Sequence, residues 1–182
     1  MQQPQRAGSG RTPTVSLLLA FLLTLLIGGE ARAQAAEGEL IDGEGASIGT
    51  VTLAQMARGV RILAEAAGLP SGVHAFHIHA AGICEPPFTS AGAHFNPTGA
   101  EHGWNNPRGH HAGDLPNVHV RDDGALAIEV FTDAVTLADG DTSLFDADGS
   151  SVVIHQGADD YQSDPAGHAG DRIACAVITA GQ

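Results

Sequence analysis

The chain has 182 residues, 43% hydrophobic and only 4% aromatic, with 8 Lys+Arg against 21 Asp+Glu and a formal net charge of −13. Every basic residue is an arginine. Such an excess of acid argues against nucleic acid and anionic membrane as partners, since both reward basic patches.

From the start of the chain, Arg6 and Arg11 precede an apolar run from Val15 to Gly29, and Ala31-Arg32-Ala33 follows it. A positive segment, a short apolar stretch and a small-x-small end describe a secretory signal peptide, with the cut expected after Ala33. The run is too short to favour a membrane span. The expected organisation is therefore residues 1–33 as export signal and 34–182 as one mature domain, periplasmic or otherwise exported, with no membrane contact after cleavage. Removing residues 1–33 takes away Arg6, Arg11, Arg32 and Glu30, leaving five arginines against twenty acids and a formal charge of −15.

In the mature part, short runs of alternating apolar residues dominate. Glu39–Asp42, Gly49–Ala54, Val60–Ala64, Val73–His79, Val118–Arg121, Ala125–Phe131, Ser151–His155 and Arg172–Thr179 each read as strands. Gly-, Pro- and Asp-rich turns separate them, as at Asp42-Gly43-Glu44-Gly45 and Asp122-Asp123-Gly124. This spacing predicts an antiparallel sandwich or barrel with helix only in fragments. Two connections, residues 80–117 and 156–171, lack a strand pattern. Loops this long inside a compact domain are usually functional or disordered; His94, His102, His111 and Asp114 in one and Asp159 in the other favour function, and metal coordination would explain their order.

The long loops and the strands beside them carry the chemistry. Between His77 and Asp114 lie six histidines, and His155 follows on a later predicted strand. Imidazole is the commonest ligand for zinc and copper at neutral pH, and this cluster is too rich for one tetrahedral ion. Strand alternation puts His77 and His79 on one side, where they can share an ion. With His94 and His155 they make four nitrogens, a set that suits copper. His94, His102, His111 and Asp114 make three nitrogens and a carboxylate, a set that suits closed tetrahedral zinc. His94 belongs to both and, ionised at both nitrogens, can bridge them. His74, His110, His119 and His168 read better as surface residues or core hydrogen-bonders. Cys84 and Cys175, in an exported chain, default to a disulfide that closes a long loop.

Gly72-Val73-His74-Ala75-Phe76-His77-Ile78-His79-Ala80-Ala81-Gly82 resembles the copper signature of copper/zinc superoxide dismutases, and Ala169-Gly170-Asp171-Arg172-Ile173-Ala174-Cys175 resembles their second signature. The segments Thr89–Pro97, His111–Asn117 and Val152–Asp160 resemble the intervening motifs in order. The likeness covers essentially the whole mature chain and is nearest the exported bacterial branch. It implies an eight-stranded antiparallel Greek-key β-sandwich or barrel, immunoglobulin-like, with two long functional loops. It implies copper on His77, His79, His94 and His155, and zinc on His94, His102, His111 and Asp114, one ion of each per subunit. Asp159 is implied as the carboxylate behind the ligands, accepting from His77 and His102, and Cys84 and Cys175 as the intrachain disulfide.

The implied activity is dismutation of superoxide to dioxygen and hydrogen peroxide, as antioxidant defence in the cell envelope. Copper would be reduced by one superoxide and reoxidised by the next, with His94 passing a proton to the peroxide and zinc remaining structural. Arg172 is implied beside the copper, where an anionic substrate entering an acidic protein needs local positive charge. A homodimer is a possible assembly in this family. Some positions depart from the pattern: Ala75 and Ala176 replace common glycines, the loop 156–171 is shorter than in animal relatives and lacks lysine, and His110 and His168 are extra imidazoles. The alternative is an exported copper/zinc-binding or copper-buffering protein on the same fold, expected to lack the arginine or part of a ligand set. A zinc hydrolase would need an aspartate where Ala81 and Gly82 stand, and a serine hydrolase a G-x-S-x-G that the chain lacks.

Overall fold

The computed structural model describes residues 1–2 and 34–181. The chain divides into two units, Met1–Ala31 and Arg32–Gln182. The apolar run and the expected cut after Ala33 lie outside the described residues.

The second unit is built of antiparallel strands: β1 (Ala35–Asp42), β2 (Ser47–Gln55), β3 (Val60–Ala66), β4 (Gly72–His74), β5 (Phe76–His79), β6 (Val118–Val120), β7 (Leu126–Thr132), β8 (Ser151–His155), β9 (Arg172–Val177) and β10 (Thr179–Ala180). Among the described residues the helical content is one 3-10 turn, Thr89–Ala91, and no helix is long and apolar enough to cross a membrane. Alternation sets the inner face. Ala36 and Leu40 of β1 and Val60, Ile62 and Ala64 of β3 point inward while their neighbours are more exposed. Phe76, Ile78, Val152, Ile154, Ala174 and Ala176 join them in one core. A fully buried Leu or Ile contributes about 1.5–3 kcal/mol, so many such side chains hold the fold despite few aromatics.

The main sheet runs β5-β8-β9-β1-β2-β3-β7, with β10 beside β1, and β4 pairs with β6 separately. It curls around the core, and the pairings of β1 with β9 and of β3 with β7 are the long returns of a Greek key. The expected all-β antiparallel class holds, with different strand boundaries. The run Val73–His79 is not one strand but two, β4 and β5, which pair with different partners. They break at Ala75, whose N–H donates to Gly157 O while its carbonyl accepts from His155 N–H. The last expected strand likewise splits at Ile178, whose N–H donates to Ser150 O, and β10 turns to β1. β1 begins earlier than expected because Ala36 and Gly38 give a faint apolar signal.

Cys84 and Cys175 are joined, with a sequence separation of 91, tying the beginning of loop 80–117 to the middle of β9. In the chain-entropy model a cross-link over that separation stabilises by about 4–5 kcal/mol. A Cys84→Ser/Cys175→Ser variant is expected to lose a comparable amount in guanidinium unfolding, against the unmodified oxidised protein. A loss below about 1 kcal/mol would show that the loop is held by other contacts.

Candidate metal centre

Strand β5 lies at an edge of the main sheet, so one side of its backbone has no strand partner. Loop 80–117 covers that side. Ile78 N–H donates to Gly113 O, Phe95 N–H to Ile78 O, and Ala80 N–H to Ala93 O, at 2.8–2.9 Å. Isolated bridges pair His77 with Asp114 and His79 with His94. The crossing is close: a Cβ on Gly113 would lie 2.2 Å from Ile78 O, so only glycine fits there. One face of β5, Phe76 and Ile78, enters the core, and the other, His77 and His79, is buried beneath the loop.

His155 arrives from β8. Between β8 and β9 the register slips at a bulge, so that His155 opposes Arg172 rather than Ile173. Bulges often re-aim side chains beside functional sites. Here the bulge sets an imidazole and a guanidinium opposite one another.

Two sets of ligating atoms result. His77, His79, His94 and His155 form one, His94, His102, His111 and Asp114 the other, each with its atoms within 4.8 Å of one another and every residue buried. In the first set the outward nitrogens are occupied. His77 Nε2 donates to Asp159 Oδ2 at 2.9 Å, His79 Nδ1 to Gly92 O at 3.0 Å and His155 Nδ1 to Gly170 O at 3.3 Å. Those bonds set the tautomers and leave His77 Nδ1, His79 Nε2 and His155 Nε2 as inward lone pairs. His77 Nδ1 and His94 Nε2 are buried with no hydrogen-bond partner, and His79 Nε2 lies 3.4 Å from His155 Nε2. A buried acceptor without a partner costs about 1–3 kcal/mol, a penalty that a bound cation would remove. Four converging imidazole nitrogens fit copper.

In the second set Asp114 Oδ1 lies 2.8 Å from His94 Nδ1, 3.0 Å from His102 Nδ1 and 3.2 Å from His111 Nδ1, with His94 Nδ1 and His111 Nδ1 3.3 Å apart. A tetrahedral zinc with bonds near 2.0–2.1 Å needs ligand edges of roughly 3.3 Å, so these residues fit such an ion with little movement. His94 gives Nδ1 to this set and has Nε2 free for the other.

Electrostatics separates the sets. Burial first, then the neighbouring imidazoles and Arg172, hold His79 down to about 2 and His155 to about 3; burial also holds His94 to about 4 against the pull of Asp114. These imidazoles are neutral at neutral pH, as metal ligands must be. Burial pushes His102 down as well, but Asp114 and Asp159 outweigh it and raise it to about 9. Burial alone would raise Asp114 and Asp159, yet hydrogen bonds from the surrounding histidines hold both well below the usual carboxylate range. The second set thus holds an ionised carboxylate among its imidazoles, and a dication binding there would take the place of the proton on His102.

Asp159 joins the sets. One oxygen accepts from His77 Nε2 and the other from His102 Nε2, at 2.9 and 3.0 Å. His77, His102 and Asp159 also cluster as a potential ligand group, but each facing nitrogen is consumed in a hydrogen bond, and the group works as a brace.

Arg172 is half-buried, donating from its guanidinium to Phe88 O at 2.5 Å and Gly92 O at 2.6 Å. Burial pulls its pKa below the ordinary arginine value. With His94, His111 and His155 it lines a cleft of about 570 Å³, whose wall also carries Glu101 and Asp164. A larger cleft of about 920 Å³ reaches Arg172 from elsewhere but has no histidine in its lining.

The other histidines stay outside both sets. His74 is a core hydrogen-bonder, its ring nitrogens 2.8 Å from His155 O and 2.9 Å from Pro70 O. His110 stacks on Trp104 with ring centroids 3.8 Å apart, and His168 is exposed beside Asp160. Sequence reasoning missed Tyr161 and assigned no role to Asn117, although both touch Asp159. Their signal is an ordinary polar residue in a loop, which has no period to mark it.

A family model described as copper/zinc superoxide dismutase matches residues 47–178. The chain is similar to copper/zinc superoxide dismutase 2 of Aquifex aeolicus, 48% identical over 167 residues that cover 90% of this chain and 98% of that protein. It is 44% identical over 140 residues to a copper/zinc superoxide dismutase of Caulobacter vibrioides, covering 75% and 80% respectively. Among solved structures it resembles a superoxide dismutase-like protein from Bacillus subtilis, with TM-score 0.76 and 39% identity, covering 79% of this chain and 97% of that one.

Asp159→Ala is expected to weaken metal binding in both sets by about 10- to 100-fold, the usual effect of losing a hydrogen-bond partner behind metal ligands. Competition with chelators of known affinity measures it, and an unchanged affinity in either set would remove Asp159 as its brace.

Proposed function

The chain belongs to the copper/zinc superoxide dismutase family, and from that premise we propose how its own residues carry out the activity. It dismutes superoxide, two anions and two protons giving dioxygen and hydrogen peroxide, with copper and zinc as cofactors. His77, His79, His94 and His155 hold copper; His94, His102, His111 and Asp114 hold zinc. The observation that carries this assignment is the pair of buried, partnerless nitrogens, His77 Nδ1 and His94 Nε2, in a set whose outward nitrogens are otherwise engaged.

Bound copper supplies one-electron oxidation and reduction, while zinc, which has no accessible redox change, supplies fixed positive charge and order. The remaining work falls to the chain. Arg172 attracts and orients the anion, since its charge sits in the cleft wall beside His94 and His155. Phe88 O and Gly92 O aim the guanidinium. Gly92 O also accepts from His79 Nδ1, so one carbonyl positions both a ligand and the substrate-binding cation. His94 Nε2 is the nitrogen that would take up a proton whenever it is not ligating copper and would pass it to the peroxide, with Asp114 at Nδ1 keeping the ring in place. Asp159 keeps His77 and His102 in the tautomers that ligation needs.

Residues 1–33 serve as a cleaved export signal and 34–182 as the enzyme domain, working in the cell envelope as antioxidant defence with no nucleic-acid partner. The composition of the amino-terminal segment and the acidic balance of the remainder support this.

Elemental analysis of the purified chain is expected to give one copper and one zinc per subunit. His155→Ala should lose copper and keep zinc, and His111→Ala should lose zinc. Arg172→Glu is expected to keep both metals while its rate constant for superoxide falls about 10- to 1000-fold, the range over which local fields steer charged substrates. Normal metal content without activity in the unmodified protein would sink the assignment; undiminished activity in the Arg172 variant would remove that residue from its role. Amino-terminal sequencing of the exported form should begin at Gln34.

A further inference from the structure

Loop 156–171 meets loop 80–117 through Asp159, Asp164 and Tyr161. Its phenol oxygen accepts from Asn117 N–H at 2.7 Å, its carbonyl accepts from Asn105 N–H at 2.8 Å, and its own N–H donates to Asp159 Oδ1 at 2.7 Å. That Asp159 oxygen is the one that faces His102 Nε2. Asn105 follows His102 closely and Asn117 follows Asp114, so one residue pins the chain just beyond two of the four zinc-set residues. The side chain of Asn117 adds a clamp, donating to Asp159 O and accepting from Asp159 N–H at 2.9 and 2.8 Å.

The backbone at Tyr161 has φ 62°, in the left-handed region that a residue with a bulky side chain seldom occupies. Such a conformation costs free energy and persists where its surroundings over-determine it. Here it lets N–H, carbonyl and phenol all meet groups around the zinc set. Gly103 completes the fit, because a Cβ there would stand 2.3 Å from Tyr161 O.

We propose that Tyr161 is a positioning residue, a latch by which loop 156–171 holds loop 80–117 and the Asp159 carboxylate in place and slows the escape of zinc. The proposal rests on the zinc assignment above. Without the phenol oxygen, Asn117 N–H loses its acceptor and Tyr161 loses one of its three anchors. The carboxylate that steadies His102 then gains freedom, and zinc leaves more readily although no ligand has changed.

The test uses the full chain loaded with copper and zinc, comparing unmodified protein with Tyr161→Phe. Transfer of zinc to an excess of chromophoric chelator is expected to run about three- to tenfold faster in the variant, the range for one lost hydrogen bond. Cobalt(II) placed in the zinc set should show altered visible absorption bands, which a residue acting through packing alone would leave unmoved. In the unmodified loaded protein, amide exchange at Asn105 and Asn117 should be slow, a measurement that stands even if the variant folds poorly. Equal transfer rates with unchanged cobalt bands, or rapid exchange at both amides, would overturn the latch while leaving the zinc assignment intact. An unmodified chain that binds no zinc, or binds it equally well as His111→Ala, would overturn both.

Discussion

The free edge of β5 governs the metal centre. A strand edge is a row of amide and carbonyl groups that must find partners. In this chain the partners come from loop 80–117, and the hydrogen bonds of Ile78 with Gly113 and Phe95 lay that loop along the strand. Without this pairing His77 and His79 would face solvent from an edge, and His94 and Asp114 would have no fixed place. With it, ligands distant in sequence come within a few ångströms before any ion is considered. The disulfide at one end of the loop and the Tyr161 contacts farther along keep the same segment in register.

Burial then determines what the assembled atoms can bind. Removing His79, His94 and His155 from water favours their neutral forms, which supplies the lone pairs a soft or borderline cation needs. The neighbouring set contains Asp114, held ionised by the histidines around it. His94 lies at the boundary, one nitrogen toward each environment. The two sites therefore differ in character although they share a residue: a nitrogen-only set lies beside a set that contains an ionised carboxylate.

How much of this was legible in the sequence depends on the range of the forces involved. The pairing of His77 with His79 follows from alternation within one strand, and the all-β class from short apolar runs between turns; both are local. The ligand roll could be written from residue chemistry and family likeness because it concerns identity rather than position. The break at Ala75 and the bulge opposite His155 were not legible. Each arises where a strand exchanges one partner for another, and a single sequence does not record partners. Tyr161 was invisible for a related reason. Its left-handed backbone is imposed by contacts on three sides, and an aromatic side chain gives no hint of a φ usually associated with glycine.

A chain with so large an excess of acid poses a difficulty for an anionic substrate, and the arrangement of charges in the cleft bears on it. At physiological salt, charge beyond about 8 Å is largely screened, so the distant carboxylates matter less than those in the cleft wall. Glu101 lines the cleft but is bound by Arg108, which offsets its charge. Asp164 accepts the N–H of His102 and so holds the chain at a ligand as well as lining the wall. Arg172 is treated differently. Its guanidinium is oriented by two neutral carbonyls and by no carboxylate among the hydrogen bonds of the described residues. A carboxylate partner would have aimed it equally well while cancelling the field it projects. Carbonyls fix its direction without cancelling its charge, which is what the proposed attraction of an anion requires inside a protein whose total charge opposes it.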